Sequence, residues 1–330
     1  MTITIGIKAF NEEDNIAACL ASAVAAAETV DGRVVLADCG STDRTVAIAQ
    51  NFPVRIVQLS NPALRSCGAG AQLAFQQAEG EFFYLLDGDM LIDPAFLPAA
   101  LAYLQANPDV AGVGGRVEEV HVNNQEFQIR AQASIAEQHR RPGLVDRLDG
   151  GGLYRMLAIA EVGYFADSNL HGFEEFELAA RLRSRGWKLA RVDMRAARHY
   201  GHRQNGYSLL WRRLVSGYAR APGEVLRAAI GRRHLRFVFR HLTHIRNGML
   251  VMGWWLLILI AVFGLDSTAA QFGLLVPLLL APLLLLSLRR RSLELGFYSM
   301  VSWNVTAIGL IMGLLWPRRP ANEPLPVNTF

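Results

Sequence analysis

The segment Phe82-Phe83-Tyr84-Leu85-Leu86-Asp87-Gly88-Asp89-Met90 decides the fold. Its apolar part has the length of a buried strand, and it ends in two carboxylates one residue apart. Because side chains alternate faces along an extended chain, Asp87 and Asp89 point the same way, and Gly88 permits close approach of backbone or ligand. Taken alone, such a pair is typical of solvated turns. After an apolar run, it predicts a site for Mg²⁺ or Mn²⁺, whose remaining ligands come from water and substrate.

Strands and helices alternate before this segment. The apolar, β-branched runs that predict strands occupy residues 2–9, 33–37 and 54–59. Helical patterns follow each run, and this alternation predicts an α/β fold with a mainly parallel central sheet and helices on both faces. Ligands bind beyond the carboxyl ends of strands in such sheets. We therefore expect Asn11, Asp38 and Asp87 to share one rim.

The last third of the 330-residue chain is almost wholly apolar. The apolar spans are residues 249–265, 269–288 and 293–316. Each is near the ~17–25 residues that cross a bilayer, so we predict a multi-pass membrane protein with membrane lipids as partners. Buried soluble helices are the less favoured interpretation.

Charge and cysteine content indicate the cellular compartment and the partners of the chain. The net charge of +4 is small, but arginines crowd the stretch just before the first span, at positions 232, 233, 236, 240 and 246. This placement favours an anionic cytoplasmic leaflet, and we expect no nucleic-acid partner. Cys19, Cys39 and Cys67 lack CxxC spacing, which indicates reduced thiols and no zinc site. Because no signal-peptide pattern opens the sequence, we expect the part of the chain before the apolar spans to face the cytoplasm from the inner membrane.

Three motifs occur in an order that resembles family 2 glycosyltransferases of the GT-A (nucleotide-diphospho-sugar transferase) fold. They are Phe10-Asn11-Glu12, Asp38-Cys39-Gly40-Ser41-Thr42-Asp43 and Asp87-Gly88-Asp89. The resemblance implies that the donor nucleotide binds at Phe10, Asn11, Glu12, Asp38, Ser41, Asp43, Asp87 and Gly88. It implies that Asp38 binds the nucleobase of the donor and that Asp89 binds the metal ion. Asp87 would lie beside the ribose or the metal ion. Cys39 departs from the family, which often has a second Asp there.

The resemblance extends to an acceptor half. Gly150-Gly151-Gly152-Leu153-Tyr154-Arg155 is similar to the glycine-containing strand that enters the acceptor site, and Arg155 is predicted to bind the donor. Gly172-Phe173-Glu174-Glu175-Phe176-Glu177-Leu178 resembles a Glu-Asp-x-(Asp/Glu)-Leu segment whose second acid is the general base. This implies that Glu175 is the base and Glu174 its catalytic neighbour, although acids at a helix start also suit the helix dipole alone.

Two histidines follow the last predicted strand of this region. Some members of the family have a histidine at this point as a further metal ligand. His199 is the first candidate because it falls where the strand should end, and His202 is the second. A purely structural histidine is the alternative.

The predicted domain organisation has four parts. They are a catalytic domain (1–207), basic and aromatic interfacial helices (208–246), two to three transmembrane helices (247–317) and a tail (318–330). Three full crossings from the cytoplasm put Arg289-Arg290-Arg291 inside but leave Arg318-Arg319 outside, against the positive-inside rule. Either the tail charges are tolerated or one span is re-entrant.

The resulting hypothesis is a metal-dependent, inverting glycosyltransferase of envelope or exopolysaccharide synthesis. It would move a sugar from a nucleoside diphosphate donor to a lipid-linked or saccharide acceptor at the cytoplasmic membrane face. The Gln-x-x-Arg-Trp motif of processive synthases does not follow at Gln204, which favours single transfer. Two alternatives stay open: a polyprenyl-phosphate glycosyltransferase similar to dolichyl-phosphate mannose synthase, and a non-catalytic nucleotide-sugar-binding membrane module.

Overall fold

The structure, a computed structural model, describes residues 2–120, 137–201 and 205–329, with Gln125 and Ile129 between the first two ranges. The chain forms two compact units. The first comprises Met1–Val122, Ala131–Arg203 and Arg318–Phe330, and the second comprises Asn123–Arg130 and Gln204–Pro317. The structure divides the chain after Arg203 and again after Pro317.

A mixed sheet forms the centre of the first unit. Its strands are β1 (Ile3–Ala9), β2 (Arg33–Asp38), β3 (Arg55–Leu59), β4 (Phe82–Asp87), β5 (Met90–Ile92), β6 (Val110–Glu119), β7 (Gly143–Val145), β8 (Gly152–Arg155), β9 (Lys188–His199) and β10 (Val327–Thr329). The order is β10-β3-β2-β1-β4-β8-β6-β9-β5, with β7 paired to β9. The predicted parallel arrangement holds from β3 to β4, whereas β8 runs antiparallel to both of its neighbours.

Helices cover both faces of this sheet. They are α1 (Ile16–Glu28), α2 (Thr45–Ala49), α3 (Cys67–Gln76), α4 (Phe96–Ala106), α5 (Met156–Val162) and α6 (Glu174–Ser184). The alternation of β1 explains the two layers, because Ile5 belongs to the core cluster that contains α1 and α4. Gly6 points to the opposite face, where a Cβ atom would overlap the Phe83 ring next to α3. Each fully buried aliphatic side chain contributes about 2 kcal/mol to this core.

The segment predicted as a tail, 318–330, is instead part of the first unit. Its strand β10 pairs antiparallel with β3 and so covers one edge of the sheet. Arg318 Nη2 lies 2.7 Å from Oδ2 of the buried Asp167, and the Arg319 amide donates to Asn169 Oδ1 at 2.8 Å. This strand is hard to predict from sequence, since it is three residues long and follows prolines at positions 320, 324 and 326.

The second unit is helical in its described part. Its helices are α7 (Gly206–Ser216), α8 (Ala221–Ala229), α9 (Leu235–His241), α10 (Thr243–Phe263), α11 (Thr268–Arg290) and α12 (Leu293–Leu315). By length and composition, α10, α11 and α12 could each cross a membrane. The α7 helix is amphipathic, with Leu209 buried and Trp211 exposed. Interfacial helices over residues 208–246 stay a prediction.

Replacing Arg318 with Met should destabilise the first unit, because it leaves the buried Asp167 carboxylate without its cation. We expect a loss of about 2 kcal/mol in the free energy of unfolding, below the ~3–5 kcal/mol of a wholly buried pair because Arg318 is partly exposed. Thermal unfolding of the purified full chain should show a lower midpoint. Arg319→Met is the matched control, since Arg319 pairs with Glu323 at the exposed surface. Equal shifts in the two variants would contradict the assigned role of Asp167.

Candidate active site

Three parallel strands end side by side at the predicted rim. Ala9 at the end of β1 pairs with Asp38 of β2, and Lys8 pairs with Asp87 of β4. The loops that follow these strands therefore start at the same edge of the sheet. The structure brings Asn11, Asp38 and Asp87 together there, as the strand order requires.

The loop after β1 and the loop after β2 are joined by hydrogen bonds. The amide of Asn11 donates to Ser41 Oγ at 2.8 Å, and the Thr42 amide donates to Asn11 Oδ1 at 2.8 Å. Asp43 Oδ2 accepts from the Glu13 amide at 3.1 Å. Asn11 adopts a positive φ of 54°, which Asn tolerates better than most residues. Asn11, Ser41 and Asp43 thus fix the shape of the donor-side loops.

Asp38 is buried at the base of these loops. Its Oδ2 atom accepts hydrogen bonds from the amides of Gly40 and Ser41 and from Gln58 Nε2, at 2.8–2.9 Å. Its Oδ1 atom is buried and has no hydrogen-bond partner within the described ranges. A buried carboxylate oxygen without a donor is costly, so this atom is suited to accept an N–H group from a ligand.

A cation–aromatic pair stands beside Asp38. The Arg65 guanidinium lies 3.7 Å from the centroid of the Phe10 ring, and its Nε donates to the Cys39 carbonyl at 2.8 Å. Cys39 itself is buried, and burial raises the pKa of its thiol to about 12. The position where the family often has a second Asp therefore carries a neutral group, with Arg65 nearby.

Asp89 and His199 face each other where β5 pairs with β9. His199 Nε2 lies 3.1 Å from Asp89 Oδ2, and His199 Nδ1 lies 2.6 Å from Glu119 Oε2. Burial lowers the pKa of His199, but the hydrogen bonds to the two carboxylates outweigh it and raise this pKa to about 10. The imidazole thus holds a proton between Asp89 and Glu119.

The Asp89–His199 pair suits a divalent metal ion. Two neighbouring ligands of an octahedral ion with bonds of about 2.1 Å lie about 3 Å apart, which matches the observed separation. Glu119 behind the ring nitrogen is the kind of partner that orients a metal-bound histidine. In residues 2–120, 137–201 and 205–329, no three His, Cys, Asp or Glu side chains are grouped to hold a metal. Protein ligands would therefore supply only part of the coordination shell.

Lys8 links the donor side to the acceptor side. Its Nζ atom lies 3.1 Å from Asp87 Oδ1 and forms an ion pair with Glu174 at the start of α6. Burial lowers the pKa of Lys8, but the charges of Asp87 and Glu174 raise it well above its ordinary value. Burial raises the pKa of Asp87, whereas Lys8 opposes that rise. One permanent positive charge therefore sits between two carboxylates.

Glu12 adds a further acid to this edge. Its amide donates to Thr45 Oγ1 at 2.8 Å, and its carboxylate accepts from Asn15. Burial raises the pKa of Glu12 to about 7, helped by the charges of Asp89 and Asp87. Gly88 is next to it, and a Cβ atom there would crowd Glu12 and Ala9. The glycine between the two aspartates is thus required by close packing.

Glu175 is held by the glycine-rich strand. Its Oε2 accepts from the Gly150 amide at 2.9 Å, and its Oε1 lies 3.2 Å from the Gly151 amide and 3.4 Å from Tyr154 Oη. Gly150 and Gly151 have φ values of 73° and 97°, which favour glycine. Burial raises the pKa of Glu175 to about 7, and the charge of Glu174 adds to this rise. The two segments predicted for the acceptor side therefore meet.

Two predicted residues are not part of this arrangement. Arg155 lies at the far end of β8, opposite Phe82 at the start of β4. Its guanidinium donates to the carbonyls of Val110, Leu104 and Asn107. It therefore stabilises the loop between α4 and β6, at the end of the sheet opposite the rim. Placing Arg155 in the donor site was wrong because β8 runs antiparallel to β4. His202 lies outside the described residues.

Sequence reasoning missed three residues of the site: Lys8, Glu119 and Arg65. The signal for Lys8 was present, because a cation inside the apolar strand Ile3–Ala9 requires a buried carboxylate partner. Glu119 and Arg65 are brought in by β6 and by the loop before α3. Nothing in their local sequence indicates these distant contacts.

Comparison with known proteins defines the class. The PcManGT mannosyltransferase of Pyrobaculum calidifontis, solved with GDP-Man and Mn²⁺, is 18% identical with a TM-score of 0.59, covering 93% of this chain and 86% of that one. S. aureus TarS 1–349, solved with UDP-GlcNAc, is 14% identical with a TM-score of 0.51, covering 94% and 91%. The protein has a GT-A glycosyltransferase fold.

A family model also matches part of the sequence. The family model "Glycosyl transferase family 2" matches residues 4–163. This segment is therefore similar to a family 2 glycosyltransferase domain. "Uncharacterized protein Rv1520" of Mycobacterium tuberculosis is 31% identical over 105 residues, and Mb1547 of Mycobacterium bovis is equally similar. Each match spans 30% of this chain and 30% of the relative's length.

Replacing Lys8 with Met should disrupt the site, because Asp87 and Glu174 then face each other without a cation. We expect a loss of about 3 kcal/mol in unfolding free energy, as for other broken buried pairs, with Lys8→Arg losing much less. Chemical denaturation of the full chain measures this difference. Lys188→Met, which removes the chain's other lysine and an exposed pair with Asp109, is the control, with an expected change below about 1 kcal/mol. A Lys8→Met variant as stable as this control would refute the role of Lys8.

Proposed function

We propose that the protein is a metal-dependent, inverting glycosyltransferase that transfers a sugar from a nucleoside diphosphate donor to an acceptor hydroxyl. One observation carries the proposal: the Lys8 ammonium contacts both Asp87, at the donor rim, and Glu174, beside the expected base. Donor-side and acceptor-side acids therefore belong to one site. The sugar nucleotides bound to PcManGT and TarS support a donor of this class.

The donor would be held by residues of the rim. Asp38 Oδ1 is free to accept an N–H group of the nucleobase, with Phe10 and Arg65 beside it. Asp89 and His199 would hold Mn²⁺ or Mg²⁺, with Glu119 fixing the histidine ring. The ion would neutralise charge that develops on the departing diphosphate. Asp87 stays near Lys8, so its free oxygen is available to the ribose or the ion.

Glu175 would act as the general base toward the acceptor. An inverting transfer needs a carboxylate within hydrogen-bond reach of the attacking hydroxyl, on the side opposite the leaving group. The amides of Gly150 and Gly151 fix the orientation of this carboxylate. Glu174 stays paired with Lys8, so it positions the start of α6 while Glu175 takes the proton.

The apolar helices support an acceptor attached to lipid. α10, α11 and α12 are long and apolar enough to cross a bilayer, and arginines precede the first of them. We place the catalytic unit at the cytoplasmic face of the inner membrane, where a lipid-linked saccharide would be the acceptor.

Titration with sugar nucleotides tests donor binding directly. Calorimetry of the detergent-solubilised protein with UDP, GDP and dTDP sugars should show binding of one nucleotide class that requires Mn²⁺. Asp89→Ala should weaken this binding at least tenfold, because it removes one of two protein ligands. Asp109→Ala, at an exposed acid just before the start of β6, serves as the control. If no sugar nucleotide binds to the folded wild-type protein, the proposal fails.

The pH dependence of turnover tests the base. With a pKa of about 7, Glu175 is protonated in acid and ionised above neutrality, so the rate should rise about tenfold per pH unit below pH 7 and level off above it. Glu175→Gln should lower kcat by about 10²–10⁴-fold and abolish this rise. The control is Glu161→Gln, at a surface acid bonded to Trp187. A retained pH slope in Glu175→Gln would assign the base elsewhere.

A second candidate acceptor is polyprenyl monophosphate. Both oxygens of Glu175 already accept hydrogen bonds from protein groups, which suits an acceptor that has no proton to lose to this carboxylate. With that acceptor, Glu175→Gln would leave turnover almost intact. Assays with a lipid-linked saccharide and with polyprenyl phosphate therefore separate the two acceptors through one substitution.

A further inference from the structure

The two segments that flank the helical unit belong to the same compact body. Ala131–Arg203, which precedes the long helical segment, and Arg318–Phe330, which follows it, both lie in the first unit. The C-terminal segment is fixed there by the pairing of β10 with β3 and by the Arg318–Asp167 ion pair. A chain that leaves a folded body on one side of a membrane and returns to it crosses an even number of times. Three candidate spans therefore cannot all be full crossings.

The charges at the helix ends indicate that α12 is the candidate span that does not cross the membrane. Arg240 and Arg246 mark the start of α10, whereas the loop 264–267 between α10 and α11 contains Asp266 and no cation. Residues 289–291 at the end of α11 are all arginine, and α12 is followed by Arg318 and Arg319. Under the positive-inside rule, α10 and α11 cross and α12 starts and ends on the same side. The candidate spans have mean hydropathy 1.8, 2.2 and 1.4, so α12 is also the least apolar.

The packing of α12 agrees with this assignment. A Cβ atom on Gly206 would overlap Tyr298 near the start of α12, and one on Gly309 would overlap the Ala219 carbonyl. A Cβ atom on Gly313 would overlap the Arg220 carbonyl. These contacts cover about 22 Å of α12, at 1.5 Å per residue, against the amphipathic α7–α8 region. A helix that left the interface would separate from α7 and α8 within two turns.

The other apolar helices also contact α12. A Cβ atom on Gly248, near the start of α10, would contact Leu310. At the end of α11, Gly296 packs on Ser287, and Arg290 donates to Ser299 Oγ at 3.3 Å. Trp255 Nε1, midway along α10, donates to Asn304 Oδ1 at 2.8 Å. The contacts of α10 with α12 thus extend from the arginine-flanked start of α10 to its middle.

We propose that α10 and α11 form a hairpin that crosses the membrane twice, and that α12 lies along the membrane surface on the side that carries the first unit. Its partner there is the phospholipid headgroup region, against which it sets the partly exposed side chains of Phe297, Ile308 and Ile311. This placement also resolves the charge conflict, because Arg318 and Arg319 are then on the inner side. It rests on the proposed membrane attachment and is independent of catalysis.

Cysteine labelling with a membrane-impermeant maleimide tests the number of crossings. Asp266→Cys and Asn322→Cys place a thiol at two exposed positions of the full chain. We expect Asp266→Cys to react in intact spheroplasts and Asn322→Cys to react only after permeabilisation. The wild-type chain gives the background, since all three of its cysteines lie in the first unit. Labelling of Asn322→Cys in intact cells would mean an odd number of crossings and overturn the proposal. Labelling of Asp266→Cys only after permeabilisation would overturn it equally.

The depth of α12 is tested separately with nitroxide labels in reconstituted vesicles. Phe297→Cys and Ile311→Cys lie 14 residues apart, or about 21 Å along the helix axis. For a surface helix, accessibility to oxygen and to a water-soluble nickel chelate should place both labels within a few ångströms of one depth. Depths that differ by about 20 Å would show that α12 crosses. Neither measurement uses a sugar donor, so failure of the topology is distinguishable from failure of the proposed reaction.

Discussion

The buried ammonium of Lys8 is the interaction on which the site depends. A charge enclosed by protein is tolerated only when opposite charges surround it, and Asp87 and Glu174 meet this need from β4 and from the start of α6. Those two elements are far apart in the chain. Their contact with one side chain of β1 therefore fixes the acceptor helix against the metal-bearing strand end before any ligand arrives.

The two proposed metal ligands, Asp89 and His199, are also held by contacts between different strands. His199 is bonded on one ring nitrogen to Asp89 and on the other to Glu119, so its ring has a single orientation. Because β5, β6 and β9 each supply one of these residues or its neighbour, the register of three strands determines the geometry. The sheet would thus hold the two proposed metal ligands in a fixed geometry, with the remaining ligands left to water and substrate.

The sequence predicted the parts of the site that are local and left the rest undetermined. Asp87, Asp89 and Glu175 follow strong local patterns, and their roles stay predictions. Arg155 was misplaced because the sequence of a short strand does not show whether the strand runs parallel or antiparallel to its neighbours. The antiparallel direction of β8 puts Arg155 at the end of the sheet opposite the rim. The last strand, Val327–Thr329, pairs with a partner more than 260 residues earlier. No periodicity within three residues can encode such a contact.

The late position of β10 has a consequence for biogenesis. The ribosome makes Val327–Thr329 after α10, α11 and α12, so the outer edge of β3 stays uncovered until those helices have been made. An open strand edge is a site for pairing with other chains, and β10 covers it only once those helices have been synthesised. The central sheet is therefore completed after the three candidate membrane spans.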